Sequence, residues 1–176
     1  MKRLILVASL IGAWALSLSA QASLTKTDKL PTVDGSITSG EYQYEGNFSG
    51  MKILATLGTD DNLYLAIEAP TSGWVALGVG GRVMNGSRLF LGAMQGGKPA
   101  FIEKLGRGHF YVDAKDLVVK KWAVTSAGES SILELVLPAS AAVWKGQINL
   151  VFAYAGSPDF TVRHKARGST SLTINN

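Results

Sequence analysis

Two histidines and a handful of methionines are the residues with ligand or acid–base chemistry to offer in this 176-residue chain. There is no cysteine. That excludes a disulfide framework, a thiolate zinc site, a thiolate-held iron–sulfur cluster and a covalently attached haem. A catalytic triad would have to use His109 or His164, and neither stands in a nucleophile context; Gly-x-Ser-x-Gly is absent. No His-x-His, His-x-x-x-His or Asp-x-Asp spacing marks a divalent-metal site. Glu41, Glu45, Glu68, Glu103, Asp113 and Asp116 supply carboxyls, but nothing in the sequence pairs two of them across a cleft as glycoside hydrolysis requires. The run Gly78-Val79-Gly80-Gly81-Arg82 follows a strand but opens no helix. It therefore lacks the helix N-terminus that a phosphate loop uses, and is a glycine-rich turn. The expectation is a protein that is not an enzyme.

Of the remaining candidates, Met84 lies in a turn between two apolar segments, where a methionine is less common than in a core. Met94, at a strand end, is expected in the core. His164 sits within the basic stretch Arg163–Arg167, by default a solvated edge, and His109 within Gly106-Arg107-Gly108-His109, by default a loop. Trp74, Trp122 and Trp144 are each expected to pack into the core; exposed, Trp122 and Trp144 would instead offer stacking faces to a sugar.

The elements that must position these residues begin after a leader. Lys2 and Arg3 precede a nearly unbroken apolar run from Leu4 to Leu18, and Ala20-Gln21-Ala22 follows as a small-x-small cleavage signal. This is the three-part pattern of a secretory signal peptide over residues 1–22, with a single domain expected over 23–176. An apolar run of that length is short for a membrane span, and no later stretch is long enough to form one. Removing Lys2 and Arg3 leaves 15 basic and 13 acidic residues, so the net charge falls from +4 to +2. No Lys/Arg stripe tracks a nucleic-acid backbone. The expected location is the periplasm or outside the cell.

The mature segment reads as short strands divided by turn residues. Leu63, Leu65, Ile67 and Ala69 alternate with Tyr64, Ala66 and Glu68, as do Ile148, Leu150, Phe152 and Tyr154 with their neighbours. Trp74–Val79 is apolar almost throughout, the mark of a strand buried on both faces. Further strands are predicted over 51–57, 89–94, 99–105, 117–125, 131–137 and 169–174, with turns at Thr59–Asn62, Gln95–Lys98 and Ala127–Glu129. Pro138–Trp144, Ala-rich and ended by Gly146, predicts one short helical turn. Eight or nine close-spaced strands predict an all-β, antiparallel β-sandwich of immunoglobulin-like type.

Three blocks then resemble a known family. Val33–Tyr42 is like the opening of family 9-like carbohydrate-binding sandwiches and of DOMON domains. Gly73-Trp74-Val75-Ala76-Leu77-Gly78 followed by Met84-Asn85-Gly86-Ser87 resembles the central DOMON block, and Arg163–Leu172 resembles its closing block. Order and spacing agree from about residue 33 to 174, although Arg88 departs from the acidic residue common after the methionine. The resemblance implies a b-type haem or a sugar. In haem-binding DOMON domains, such as the cytochrome domain of cellobiose dehydrogenase, the iron lies between a Met of the central block and a His of the closing one. Carried over, these are Met84 and His164. The resemblance places Arg82, Arg88, Arg163, Lys165 and Arg167 as candidates to face the haem propionates, and Trp74, Phe90 and Phe160 to line the ring. It implies electron transfer with a redox partner protein or a small-molecule donor. Its alternatives are a carbohydrate-binding module on the same fold and a ligand-free interaction domain.

Overall fold

The computed structural model describes residues 22–175. The leader predicted over 1–22 lies, apart from Ala22, outside the described residues. Thirteen strands are present among them: β1 (Ser23–Thr25), β2 (Tyr44–Phe48), β3 (Met51–Leu57), β4 (Asn62–Ala69), β5 (Val75–Val79), β6 (Arg88–Gln95), β7 (Lys98–Arg107), β8 (Phe110–Asp113), β9 (Lys121–Ala127), β10 (Ser130–Pro138), β11 (Val143–Trp144), β12 (Gln147–Tyr154) and β13 (Ala166–Asn175). They form two sheets. The larger runs β1-β13-β12-β5-β6-β7-β8, with β11 paired to β12; the smaller runs β2-β3-β4-β10-β9. Pairing is antiparallel except for β1 on β13. The predicted β-sandwich is what the chain adopts.

Alternation dictates the layers. Leu63, Leu65 and Ile67 of β4, Leu133, Leu135 and Leu137 of β10, and Leu150 and Phe152 of β12 all enter one core between the sheets. Burying apolar side chains of this size contributes about 1.5–3 kcal/mol each. Phe48 and Phe152 meet across that core with ring centroids 5.0 Å apart. The turns have the chemistry their residues demand. Gly96 and Gly97, both at positive φ, make the tight β6–β7 hairpin.

The predicted short helical turn is present as a single 3-10 turn, Ala139–Ala141, and β11 pairs with β12 immediately after it through Trp144 and Gln147. Two other readings need correction. Trp144 is not in the core; it is 70% exposed at a hairpin tip. Trp122, also expected in the core, is partly exposed at the sandwich margin, where it stacks on Phe101 with centroids 5.0 Å apart. Met94 does pack against the core, as expected.

The first resembling block turns out to be a clamp. The segment before β2 crosses the outer face of the small sheet, where Val33 and Tyr42 pack with Leu54, Tyr64, Ala66 and Val136. At its centre lies the fully buried Glu134 of β10. Its carboxylate accepts hydrogen bonds from Gly35 N–H at 2.6 Å, Asp34 N–H at 3.1 Å and the Tyr42 hydroxyl at 2.7 Å. Burial raises the pKa of Glu134, against the lowering effect of those donors. Gly35 is obligatory here: its φ is +89°, and a Cβ would overlap Thr125 Cγ2. Glu41 closes the loop by accepting from Thr32 N–H and Thr38 N–H, each at 2.9 Å.

Candidate functional site

The outer face of the large sheet carries a second apolar cluster. Side chains that alternate away from the core, namely Ala76 of β5, Leu89, Leu91 and Ala93 of β6, and Val151 of β12, are all buried there. Nothing in the sandwich core requires this. An outward sheet face with small residues at its centre and buried aliphatic side chains around them is an apolar floor. Gly78 keeps it flat, since a Cβ there would stand 2.7 Å from Val151 Cγ2 and 2.8 Å from Leu89 Cδ2. Ile102, Tyr111, Ala153, Phe160 and Met84 pack against its rim.

Met84 is delivered by the loop between β5 and β6. Met84 to Ser87 is a β-turn, closed by the Ser87 N–H to Met84 carbonyl bond at 3.0 Å, with Gly86 at φ +79° in its third position. Four further bonds fix the loop. The buried Ser87 hydroxyl donates to the Val83 carbonyl at 2.6 Å, and Gly108 N–H donates to Asn85 Oδ1 at 2.9 Å. Gly86 N–H donates to the Gly106 carbonyl at 3.0 Å, and Gly106 N–H to the Ser87 carbonyl at 2.8 Å. The loop is thus built onto the β7–β8 hairpin.

His164 is delivered by the loop between β12 and β13, from the other end of the same floor. Lys165 N–H donates to the Tyr154 carbonyl at 2.7 Å where this loop rejoins the sheet. Trp74 Nε1–H donates to the Val162 carbonyl at 3.1 Å, the Tyr111 hydroxyl to the Phe160 carbonyl at 2.8 Å, and Gln95 Nε2–H to the Pro158 carbonyl at 2.7 Å. β5 and its neighbours run between the two ends: Val79 pairs with Arg88 near Met84, and Val75 with Tyr154 near His164. These rows are about 13 Å apart at ~3.3 Å per residue. The His164 imidazole is half-buried and takes part in none of the side-chain hydrogen bonds among the described residues. Burial, and then the charges of Arg167 and Arg163, hold its pKa below the ordinary 6.5. At neutral pH the ring is an uncharged base with a lone pair to offer.

The structure sorts the other candidates. Trp74 is buried in the outer cluster and Phe160 packs at its rim. Phe90 is not at this face; it points inward, fully buried between the sheets. Arg88 is also committed elsewhere. Its guanidinium pairs with the buried Glu103 and donates to the Asp116 carbonyl, and Glu103 in turn accepts from Val118 and Val119 N–H. That pair explains the departure from an acidic residue at position 88, because Glu103 is its cross-strand neighbour but one. Arg82, Arg163, Lys165 and Arg167 are exposed and make no ion pair among the described residues. His109 is exposed at the β7–β8 turn. Ser87 is legible in the sequence as part of the methionine block; the bracing roles of Gly106, Tyr111 and Gln95 are not, since they rest on contacts across strands.

The molecule is therefore a two-sheet β-sandwich that presents one apolar outer face between a methionine loop and a histidine loop. Among solved structures it is similar to the cytochrome b domain of pyranose dehydrogenase from Coprinopsis cinerea. That match has 13% sequence identity and a TM-score of 0.51, and covers 73% of this chain and 86% of that one. The cytochrome domain of Myriococcum thermophilum cellobiose dehydrogenase aligns with 12% identity and a TM-score of 0.49 over 75% of this chain and 81% of that one. No family model and no curated protein matches the sequence. The likeness to the Coprinopsis domain shows a shared sandwich fold, and bears out the DOMON-type resemblance at that level. No helix among the described residues is long and apolar enough to cross a membrane.

Proposed function

We propose that this domain binds haem b on the outer face of the large sheet and carries single electrons. The observation that carries the reading is the placement of Met84 and His164 on braced loops at opposite ends of one buried apolar floor. The donor set fits. A thioether and an uncharged imidazole are both good iron ligands, and a Met opposite a His favours a higher potential than two imidazoles. Bound haem supplies a one-electron couple. Met84 and His164 would hold the iron, and with both ligands from the protein the group would serve electron transfer.

The rest of the chain holds and screens the group. Trp74 and Phe160 would wall the apolar edge, and Gly78 keeps the floor low enough for a flat ring to approach. Arg82, Arg163 and Arg167 would supply charge-assisted donors to the propionates. A leader over residues 1–22 would export the domain to the periplasm or beyond, where a redox protein or small-molecule donor would exchange electrons with it. The test is spectral: purify the protein from a haem-sufficient host and record oxidised and reduced visible spectra. A Soret band with sharp reduced α and β bands, lost in Met84→Ala and His164→Ala, supports the reading. A colourless protein that takes up no haem on titration refutes it.

A further inference from the structure

Charge is unevenly divided between the two faces of the sandwich. Of the 13 carboxylates, all but Glu103, Asp113, Asp116 and Asp159 lie on the small sheet, its turns or the segment crossing it. On the large-sheet side, Glu103 is paired with Arg88 and Asp113 with Lys104; Asp116 is exposed before β9, and Asp159, in the histidine loop, accepts from Thr161 and keeps its charge. The loops at the outer floor carry an excess of cations: Arg82 and Arg107 at the methionine end, and Arg163, Lys165 and Arg167 against Asp159 at the histidine end. Arg107 stands at the β7–β8 turn beside the Met84 loop, and Lys165 follows His164; both are exposed, and neither is in an ion pair among the described residues. Exposed apolar side chains accompany them: Val83 and Phe110 at the methionine end, Val162 at the histidine end. Apolar contacts among charges mostly of one sign are the anatomy of a transient protein-docking surface.

Resting on the functional reading above, we infer that an acidic partner protein docks on this face, drawn by Arg107 and Lys165 and seated on Val83, Phe110 and Val162. The small-sheet side repels the same partner, so the asymmetry orients its approach. Propionates would neutralise part of the cationic charge near Arg163 and Arg167, but leave Arg107 and Lys165 to the partner.

Two readouts test this. In the first, isotope-labelled protein, with or without haem, is titrated with hexacyanochromate(III), a paramagnetic anion. Amides of 82–84, 107–110 and 162–167 are expected to broaden first, and the Arg107→Gln/Lys165→Gln variant to lose most of that effect while keeping its spectrum elsewhere. Broadening centred on the small sheet, or none changed by the variant, overturns the proposal. In the second, the haem-loaded protein exchanges electrons with flavodoxin, an acidic redox protein. Its second-order rate is expected to fall about tenfold between about 20 and about 300 mM salt, and the double variant to lose that dependence. A salt-independent rate overturns the docking face. Anion-induced broadening at the outer face in a protein that takes up no haem supports the charged face and sinks the haem reading alone.

Discussion

Met84 lies directly over Gly106. A Cβ at residue 106 would overlap the Met84 carbonyl oxygen and stand 3.2 Å from its Cγ. The obstacle is backbone, so the methionine loop itself has to move if anything larger than glycine is placed there. Gly106→Ala is expected to cost about 1–3 kcal/mol through overpacking. If Met84 holds haem iron as proposed, the substitution is also expected to abolish the reduced haem bands, because the displaced loop carries the thioether with it. Thermal unfolding and the reduced spectrum of the same variant check both effects.

Trp74 ties the histidine loop to the floor through its backbone, whose N–H donates to the Ser157 carbonyl at 3.0 Å, and through one side-chain bond, from Nε1–H to the Val162 carbonyl. Trp74→Phe keeps most of the apolar contact and removes the side-chain bond. The expected loss is about 1 kcal/mol of stability, with a several-fold weaker haem affinity measured by titration. A haem affinity unchanged by the substitution would show that the loop is held without it.

Arg88 and Glu103 form a largely buried pair that also gathers Val118 and Val119 N–H. Removing the arginine leaves a buried carboxylate uncompensated. Arg88→Ala is expected to destabilise the fold by about 3–5 kcal/mol, while haem affinity of the folded fraction stays at the wild-type value. Denaturant unfolding alongside haem titration separates the two. A selective loss of haem affinity would return Arg88 to the propionates.

Glu134 gives the sandwich a pH dependence. Burial raises its pKa above the ordinary 4.5, so the folded protein holds this proton more tightly than the unfolded chain. The stability attached to it is full below about pH 4.5 and declines as pH rises through the raised value. Burial and the adjacent carboxylate also push the Tyr42 hydroxyl pKa up, which keeps it a donor. Glu134→Gln is expected to remove this decline from the stability–pH profile, measured by denaturant unfolding across the acid to neutral range. A profile unchanged by the substitution would contradict the assignment.

The fold is legible in the sequence where alternate residues of a strand enter different layers. Leu63, Leu65 and Ile67 of β4 and Ile148, Leu150 and Phe152 of β12 enter the core between the sheets, while Tyr64 and Ala66 lie under the crossing segment and Val151 joins the outer cluster, so a period of two is visible although both faces are largely covered. The sequence was silent for β2 and β8. Tyr44–Phe48 contains Gly46 and two polar residues, and Phe110–Asp113 is short; both are strands only because a neighbour pairs with them. Phe90 was placed on the wrong face because Leu89–Ala93 is buried throughout, so no alternation distinguishes inside from outside. The Met84 turn and the His164 loop were legible as motifs. Their bracing was not, since Gly106, Tyr111 and Gln95 act through contacts set by register and loop path, which no local pattern encodes.

The most direct measurement is the reduced-minus-oxidised visible spectrum of purified protein, compared with Met84→Ala and His164→Ala. Sharp α and β bands in the wild type, and their loss in each variant without unfolding, are what the proposed holding of haem iron by both residues predicts. A wild-type protein with no haem bands after titration, or bands that survive either substitution, would contradict it.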